Sequence, residues 1–136
     1  MSYTYLMPGP WLAQGSAPPP FVRGIPFDVI VLAAMEYQDP ELPGYTVIRI
    51  PLDDSGPPQS KVDRMRIRHT ASEIADRVSL RERVLVTCMQ GRNRSGVLAG
   101  LALRHLGLPG AEAVRRIRLA RDGLRNPWFH AMVVGP

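Results

Sequence analysis

The sequence predicts an α/β fold in which a central, mainly parallel sheet is flanked by helices in three layers. The main observation is that short apolar runs rich in β-branched residues alternate with longer segments that are apolar at helical spacing. A second observation is size and composition, because 136 residues at 45% hydrophobic and 21% charged suit one core and are too apolar for disorder. We therefore expect residues 1–136 to form a single domain.

Three segments predict the strands of this sheet. Phe27–Ala33, "FDVIVLA", and Tyr45–Leu52, "YTVIRIPL", are runs of the kind found in buried strands, and Val84–Thr87 is a third, shorter run. Proline-rich stretches at Gly15–Pro20 and Ser55–Ser60 interrupt the chain, because proline lacks the N–H that helices and central strands use. The first two strand-like runs lie between these two breaks.

Three further segments predict helices. Lys61–Ser79 carries apolar residues at helical spacing, with Arg and Asp between them. Gly96–Leu106 is a second helix, and Gly107 is placed as its C-terminal stop. Ala111–Arg121 is the third. In sheets of this kind ligands bind beyond the carboxyl ends of the strands, which is where the segment that follows Val84–Thr87 lies.

Composition excludes several classes of protein. A single cysteine excludes an internal disulfide, and no Cys/His cluster offers a metal site, so we expect neither metal nor cofactor. The first residues lack the basic and apolar regions of a secretory signal, and no apolar run approaches the roughly 18 residues of a membrane span. These features predict a soluble, cytoplasmic protein. The net charge of +5 bears on association and says little about fold.

The segment "VLVTCMQGRNRSG" (Val84–Gly96) carries the chemistry. The loop between strand and helix can direct backbone N–H groups at one point, at the positive end of the helix, which suits a phosphate-like anion. Gly91 can adopt a positive φ, and the Arg94 guanidinium can bind two phosphate oxygens. This positive field favours the thiolate of Cys88, a nucleophile for a bound phosphoryl group. The predicted phosphate-binding loop comprises Met89, Gln90, Gly91, Arg92, Asn93 and Arg94.

The pattern C-x-x-G-x-x-R-S at Cys88, Gly91, Arg94 and Ser95 resembles the signature of the cysteine-dependent protein tyrosine phosphatase superfamily, in its small dual-specificity-like branch. The resemblance implies that Cys88 forms a phosphocysteine intermediate. It also implies that Arg94 binds phosphate and stabilises the transition state, and that Ser95 assists breakdown of the intermediate. In order and pattern it extends from about Trp11 to Phe129.

The resemblance also implies a general acid, and the chain departs from the family pattern at the residue before the cysteine. The family carries an aspartate in a segment like "I-P-x-x-D", which "RIPLDD" matches, so Asp54 is the expected general acid and Asp53 its neighbour. The alternatives are that Asp53 is the acid, or that the two are a pair of turn or cap aspartates. Where the family usually has histidine before the cysteine, this chain has Thr87, whose hydroxyl could replace part of the hydrogen bonding.

These features favour a protein phosphatase of tyrosine or dual specificity, with a phosphorylated protein or peptide as partner and a shallow, permissive pocket. A phosphoinositide or RNA 5′-phosphate phosphatase is a second reading, motivated by the arginine excess and by Arg92 as a further substrate contact. A non-catalytic phosphate-recognition module is a third, motivated by Thr87. A second group of arginines forms either a basic rim for lipid or RNA or a solvated helix face: Arg115, Arg116, Arg118, Arg121 and Arg125.

Overall fold

The structure is a computed structural model that describes residues 1–54 and 60–135. Over these residues the chain forms five strands and four helices. In chain order they are β1 (Tyr3–Tyr5), β2 (Leu12–Ser16), β3 (Val29–Ala34), β4 (Thr46–Leu52), α1 (Lys61–Ser79), β5 (Val84–Cys88), α2 (Arg94–His105), α3 (Gly110–Arg121) and α4 (Pro127–Val134).

The strands form one mixed sheet in the order β1-β2-β5-β3-β4. β2, β5, β3 and β4 run parallel, and β1 is antiparallel to β2 at one edge. The predicted fold class, a mainly parallel sheet flanked by helices, is confirmed. Because β3 and β5 are neighbours in the sheet, the loops that follow them lie side by side at its carboxyl edge.

The two inner strands are buried on both faces. Every residue of β3 and β5 is buried, as their continuous apolar sequences predict for strands covered on both sides. Val29, Val31 and Ala33 share one core cluster with residues from all four helices. Ile30 and Leu32 point to the other face, where loop residues such as Leu42 cover them. Among the described residues the four helices therefore lie together on one face and loop segments cover the opposite one, so loops and not helices form the third of the three expected layers.

α2 lies at the centre of the helical layer. It starts at Arg94, two residues before the predicted Gly96, and its first ten residues are all buried. A Cβ added to Gly100 would lie 2.9 Å from Val133 and 3.1 Å from Ile117, so glycine lets α3 and α4 approach α2 closely. α1 has the predicted bounds, and Ser60 caps it by accepting a hydrogen bond from the Asp63 N–H at 3.1 Å.

The structure adds elements that the sequence patterns did not predict. β1 has only three residues, and β2 extends into the segment Gly15–Pro20 that was predicted as a loop. α4 begins after Asn126, whose side chain accepts hydrogen bonds from two N–H groups of the first turn, with proline at the first helical position. The predicted break at Ser55–Ser60 lies, except for Ser60, outside the described residues.

Across residues 1–54 and 60–135, no helix is both long and apolar enough to cross a membrane.

Candidate active site

The predicted site residues meet at the carboxyl edge of the sheet. Cys88 is the last residue of β5, and Arg94 and Ser95 begin α2 after a loop of five residues. Asp54 follows β4, two strands away in the sheet, and reaches the same loop. Parallel strands end at one edge, so residues from different parts of the chain converge there.

The carbonyl groups of the loop point outward. The carbonyl oxygens of residues 89–92 each accept a hydrogen bond from outside the loop. The donors are the N–H groups of Ala17 (3.2 Å) and Leu124 (3.3 Å), the Arg121 guanidinium (2.8 and 3.0 Å) and the Gln14 amide (3.1 Å). In a planar trans peptide, the carbonyl of one residue and the N–H of the next lie on opposite sides. The N–H groups of residues 90–93 therefore face the interior of the loop, as an anion-binding loop requires.

Gly91 is required both by its backbone conformation and by the space around it. Its φ is +72°, in the left-handed region. A Cβ at this position would lie 2.4 Å from the carbonyl carbon of Gly15 and 2.5 Å from its oxygen. The loop therefore rests directly on the backbone of β2, and any side chain at residue 91 would lift it away.

Cys88 is 4% exposed and lies at the base of this loop. Its Sγ is 3.3 Å from the Ser95 Oγ, to which the thiol donates a hydrogen bond. Two guanidinium groups act on it electrostatically, those of Arg94 and Arg121. Burial lowers the pKa of Arg121, and Cys88 acts in the opposite direction. A negative charge on the sulfur therefore has a hydroxyl and two cations close by.

Arg94 is held by the segment that follows β3. Its side chain is only 8% exposed and forms a two-pronged ion pair with Glu36: NH1 donates to Oε1, and NH2 donates to Oε2 at 3.0 Å. NH1 also donates to the Leu52 carbonyl at 3.0 Å. Burial opposes the charged form, but hydrogen bonding to Glu36 and nearby negative groups leave the pKa of Arg94 above its ordinary value. Its buried Nε has no hydrogen-bond partner within the described residues.

Asp54 is tied to the loop and to the start of α4. Its Oδ2 accepts a hydrogen bond from the Asn93 Nδ2 at 3.2 Å, and the Asn126 Nδ2 lies 3.3 Å from its carbonyl oxygen and 3.5 Å from Oδ1. The Asn93 Oδ1 in turn accepts from the N–H groups of Arg125 and Asn126. An open cleft of about 480 Å³ lies here, lined by Met35, Glu36, Asp53, Asp54 and Arg94.

Thr87 does not contribute to the loop. Its hydroxyl donates a hydrogen bond to the Val31 carbonyl on β3 at 2.7 Å, and the residue is 1% exposed. The hydroxyl hydrogen therefore joins β5 to β3 and is not donated to the loop, and its replacement of part of a histidine's hydrogen bonding stays a prediction.

The arginines of α3 and the segment after it are engaged within the molecule. Arg115 and Arg116 both bind Glu112, and Arg125 binds Asp122. Arg121 is not on a solvated face, as its guanidinium holds the loop carbonyls of residues 90 and 91. Arg92 is exposed beside the loop, and its contact with a substrate stays a prediction.

Three side chains at this site were not singled out from the sequence, Gln14, Glu36 and Asn126, and Arg121 was named there without a role in the loop. The cap position of Asn126, directly before a proline, was the one local signal available. Gln14 and Glu36 contact residues 81 and 58 positions away, so no local spacing indicates their partners.

No family model matches the chain, and no curated protein matches it either. Solved structures do resemble it. Human DUSP28 superposes with a TM-score of 0.76 at 23% identity, over 96% of this chain and 89% of that one. Tk-PTP in its active form gives a TM-score of 0.76 at 21% identity, over 97% and 93%.

OH1 from the Orf virus, a tyrosine phosphatase with triple substrate specificity, gives a TM-score of 0.71 at 18% identity, over 97% of this chain and 84% of that one. At these identities the likeness concerns the fold. This chain has the fold of the dual-specificity and tyrosine phosphatases.

Proposed function

We propose that the protein is a phosphomonoester hydrolase, a protein phosphatase of tyrosine or dual specificity that acts through a phosphocysteine intermediate. In this proposal the whole chain, residues 1–136, is a single catalytic domain. Cys88 is the nucleophile, Arg94 and the N–H groups of the loop bind the phosphoryl group, Asp54 is the general acid and Ser95 assists the second step.

The observation that carries the proposal is the orientation of the loop. Four consecutive carbonyls are held outward by donors from other parts of the molecule, which turns the following N–H groups toward the space above Cys88. Arg94 adds a guanidinium whose buried Nε has no hydrogen-bond partner in the part of the chain that the structure describes, so a donor is left for a phosphate oxygen. A negatively charged tetrahedral group fits these donors, and a neutral ligand would leave them unsatisfied.

In the first step, the Cys88 thiolate attacks phosphorus in line with the ester oxygen. The S–P bond forms while the P–O bond to the leaving group breaks, and the protonated carboxyl of Asp54 gives its proton to the departing oxygen. The loop N–H groups and Arg94 bind the three other phosphoryl oxygens, where they stabilise the transition state.

In the second step, water attacks the phosphocysteine. Asp54, now a carboxylate, takes a proton from the water, the S–P bond breaks, and inorganic phosphate and the Cys88 thiolate are released. Ser95 supports this step because its hydroxyl lies 3.3 Å from the sulfur and can donate to the thiolate as it forms.

The lining of the cleft favours phosphorylated protein over phosphoinositide or RNA. Glu36, Asp53 and Asp54 lie around Arg94 at the open mouth, so a ligand with several phosphates would meet carboxylates beside the one that is bound. A single phosphate on a peptide avoids this repulsion. The arginines that motivated the lipid or RNA reading are largely paired within the chain.

The test is hydrolysis of p-nitrophenyl phosphate between pH 5 and 8, with phosphotyrosine peptides, phosphoserine peptides and a soluble inositol phosphate as further substrates. We expect turnover by wild type and inhibition by vanadate. Cys88→Ser should abolish turnover, and Asp54→Asn should slow it by about tenfold, because p-nitrophenolate leaves with little need for a proton.

Full activity of Cys88→Ser would contradict the phosphocysteine mechanism. If the inositol phosphate were hydrolysed far faster than the peptides, the substrate class would be wrong. Binding of phosphopeptide without any turnover would make the domain a phosphate-recognition module.

A further inference from the structure

Gln14 lies directly beneath the phosphate-binding loop, on β2. It is completely buried, and its backbone pairs with Val86 of β5. Burying an amide is unfavourable unless its polar atoms find partners. An apolar side chain would fill the same position in a sheet core without that cost, so the contacts of this amide need a reason.

The direction of the Gln14 amide is fixed by the loop. Its Nε2 donates to the Arg92 carbonyl at 3.1 Å and to the Ser95 Oγ at 3.0 Å. A backbone carbonyl can only accept hydrogen bonds, so the NH₂ group and not the oxygen must face it. The second hydrogen of the same nitrogen then points at Ser95. The Oε1 on the far side has no partner within the described residues, so both interactions are made by the donor end.

This arrangement determines whether the Ser95 hydroxyl donates or accepts a hydrogen bond at the Cys88 sulfur. Because the Ser95 Oγ accepts from Gln14, its own hydrogen remains available for the Cys88 sulfur 3.3 Å away. A hydroxyl that donates to sulfur stabilises a thiolate. Thr87, the residue before the cysteine, donates to Val31 and offers nothing to the loop.

We propose that Gln14 is a positioning residue: its amide orients the Ser95 hydroxyl toward Cys88 and fixes the Arg92 carbonyl, so that a chain of donors from Gln14 through Ser95 supports the Cys88 thiolate. This role rests on the proposed function for its use in catalysis. It concerns the reactivity of the thiol itself, which is measurable without turnover.

Alkylation of Cys88 by iodoacetamide, followed against pH, tests the proposal. Cys88 is the single cysteine of the chain, so the rate reports on it alone, and only the thiolate reacts. The near-isosteric variant Gln14→Met should react about tenfold more slowly than wild type at mildly acidic pH, because it removes the amide that orients the Ser95 hydroxyl and one hydrogen bond is worth about that factor. At high pH, where the thiol is ionised in both proteins, the two rates should meet.

The matched control is Gln38→Met. Gln38 is another partly buried glutamine whose Nε2 donates to two backbone carbonyls, those of Leu32 and Ala34 at 2.9 and 2.7 Å, but it has no contact with Ser95. Its loss should leave the pH dependence of alkylation within about twofold of wild type. If Gln38→Met shifted the profile as far as Gln14→Met, the effect would be general loosening and the proposal would fail.

A double-mutant cycle with Ser95→Ala identifies the route. Ser95→Ala alone should slow alkylation at acidic pH as Gln14→Met does, and adding Gln14→Met to it should have little further effect. Equal effects of Gln14→Met with and without Ser95 would overturn the proposed chain. If Gln14→Met does not fold, the test uses Ser95→Ala by itself. An unchanged pH dependence of Cys88 alkylation in Ser95→Ala would also overturn the proposed chain of donors.

The outcomes are separable from those of the proposed function. Loss of the expected phosphatase activity with an intact shift in alkylation would leave the donor chain standing in a protein that binds phosphate. Phosphatase activity with no alkylation shift would leave the enzyme standing and remove the role of Gln14. In an active enzyme, Gln14→Met should lower kcat more than it changes KM, because the donor chain supports the sulfur and not the substrate.

Discussion

The neighbouring strands β3 and β5 are joined at both ends by an arginine and a carboxylate. At their amino ends Asp28, before β3, binds Arg83, before β5. At their carboxyl ends Glu36, after β3, binds Arg94, after β5. Both pairs are two-pronged, and both link the same two segments of chain. The sheet therefore carries the same interaction twice, at its two opposite edges.

The two pairs differ in what surrounds them. Asp28 and Arg83 are 42% and 40% exposed, and the carboxylate also accepts the Arg83 backbone N–H at 2.8 Å. Arg94 is 8% exposed and keeps a buried Nε without a partner among the described residues. A buried cation with an unmet donor is unfavourable in a purely structural pair. Water can therefore complete the hydrogen bonding of the amino-end pair, whereas in the proposed function a bound phosphate completes that of the carboxyl-end pair.

The largest expected contrast comes from Arg94→Lys and Arg83→Lys, which make the same chemical change at each edge. Lysine keeps the charge but loses the planar fork that binds two oxygens. Arg94→Lys should lower kcat/KM for p-nitrophenyl phosphate by about a hundredfold to a thousandfold, the range for one lost transition-state donor. Arg83→Lys should stay within about twofold of wild type. Similar losses of kcat/KM in both variants would show that the two ion pairs do not differ in their importance for catalysis.

The carboxylates of the two edges give the next contrast. Asp54→Asn removes the proposed proton donor and should slow hydrolysis of an alkyl phosphate by about a hundredfold, more than that of p-nitrophenyl phosphate, whose leaving group needs less protonation. Asp28→Asn, at the opposite edge, should leave both rates nearly unchanged. Rates for the two esters in the two variants are the measurement, and equal slowing of both esters by Asp54→Asn would argue against an acid at this position.

A smaller effect is expected at Arg121, which holds two loop carbonyls outward. Arg121→Met keeps much of the buried stem but frees the carbonyls, so the inward N–H groups lose part of their alignment. We expect kcat/KM to fall by about tenfold. Arg115→Met is the matched control, because Arg115 lies on the same helix and its side-chain hydrogen bonds to described residues go to Glu112 and not to the loop. A normal rate for Arg121→Met would show that the loop keeps its conformation without the hydrogen bonds from Arg121.

The smallest effect concerns stability and its dependence on pH. Hydrogen bonding from Arg94 holds the pKa of Glu36 below its ordinary value, so the pair stabilises the fold above the unfolded-state pKa and this stabilisation is lost as pH falls through the folded-state pKa. Because Glu36 is half-exposed, Glu36→Gln should lower the free energy of unfolding by only about 0.5–1 kcal/mol at pH 7.

Urea unfolding of wild type and Glu36→Gln between pH 7 and pH 3 measures this difference. The two curves should converge as the solution becomes more acidic, because wild-type Glu36 then also loses its charge. Asp28→Asn provides the comparison at the other edge, since the pKa of Asp28 is lowered in the same direction by Arg83. If the difference in free energy of unfolding between wild type and Glu36→Gln grew toward acid pH, the lowered pKa of Glu36 would not be its cause.

Much of this molecule follows from local patterns in the sequence. The apolar runs of β3 and β5 and the periodicity of α1 predict those elements because burial on both faces, or on one helical stripe, leaves a direct record in residue order. β1 has three residues, too few for any period to appear, and α4 is eight residues of mostly apolar sequence, which periodicity alone does not assign.

The candidate site divides in the same way. The loop from Cys88 to Ser95 is continuous in sequence, so its spacing could be read directly. Glu36 and Gln14 reach it from 58 and 81 residues away, through pairing of β3 and β2 with β5. Nothing near either residue in the chain indicates those partners, because the sheet order that brings them together is a property of the whole fold.

The hydrogen bonds of Asp54 also affect the timing of events at the site. Its carboxylate is joined to Asn93 within the phosphate-binding loop, and Asn93 is joined to the segment that starts α4. Side chains held in this way lose their rotational freedom when the chain folds and not when substrate arrives. In the proposed function, Asp54 and the phosphate-binding loop are therefore already held together before a phosphoester binds.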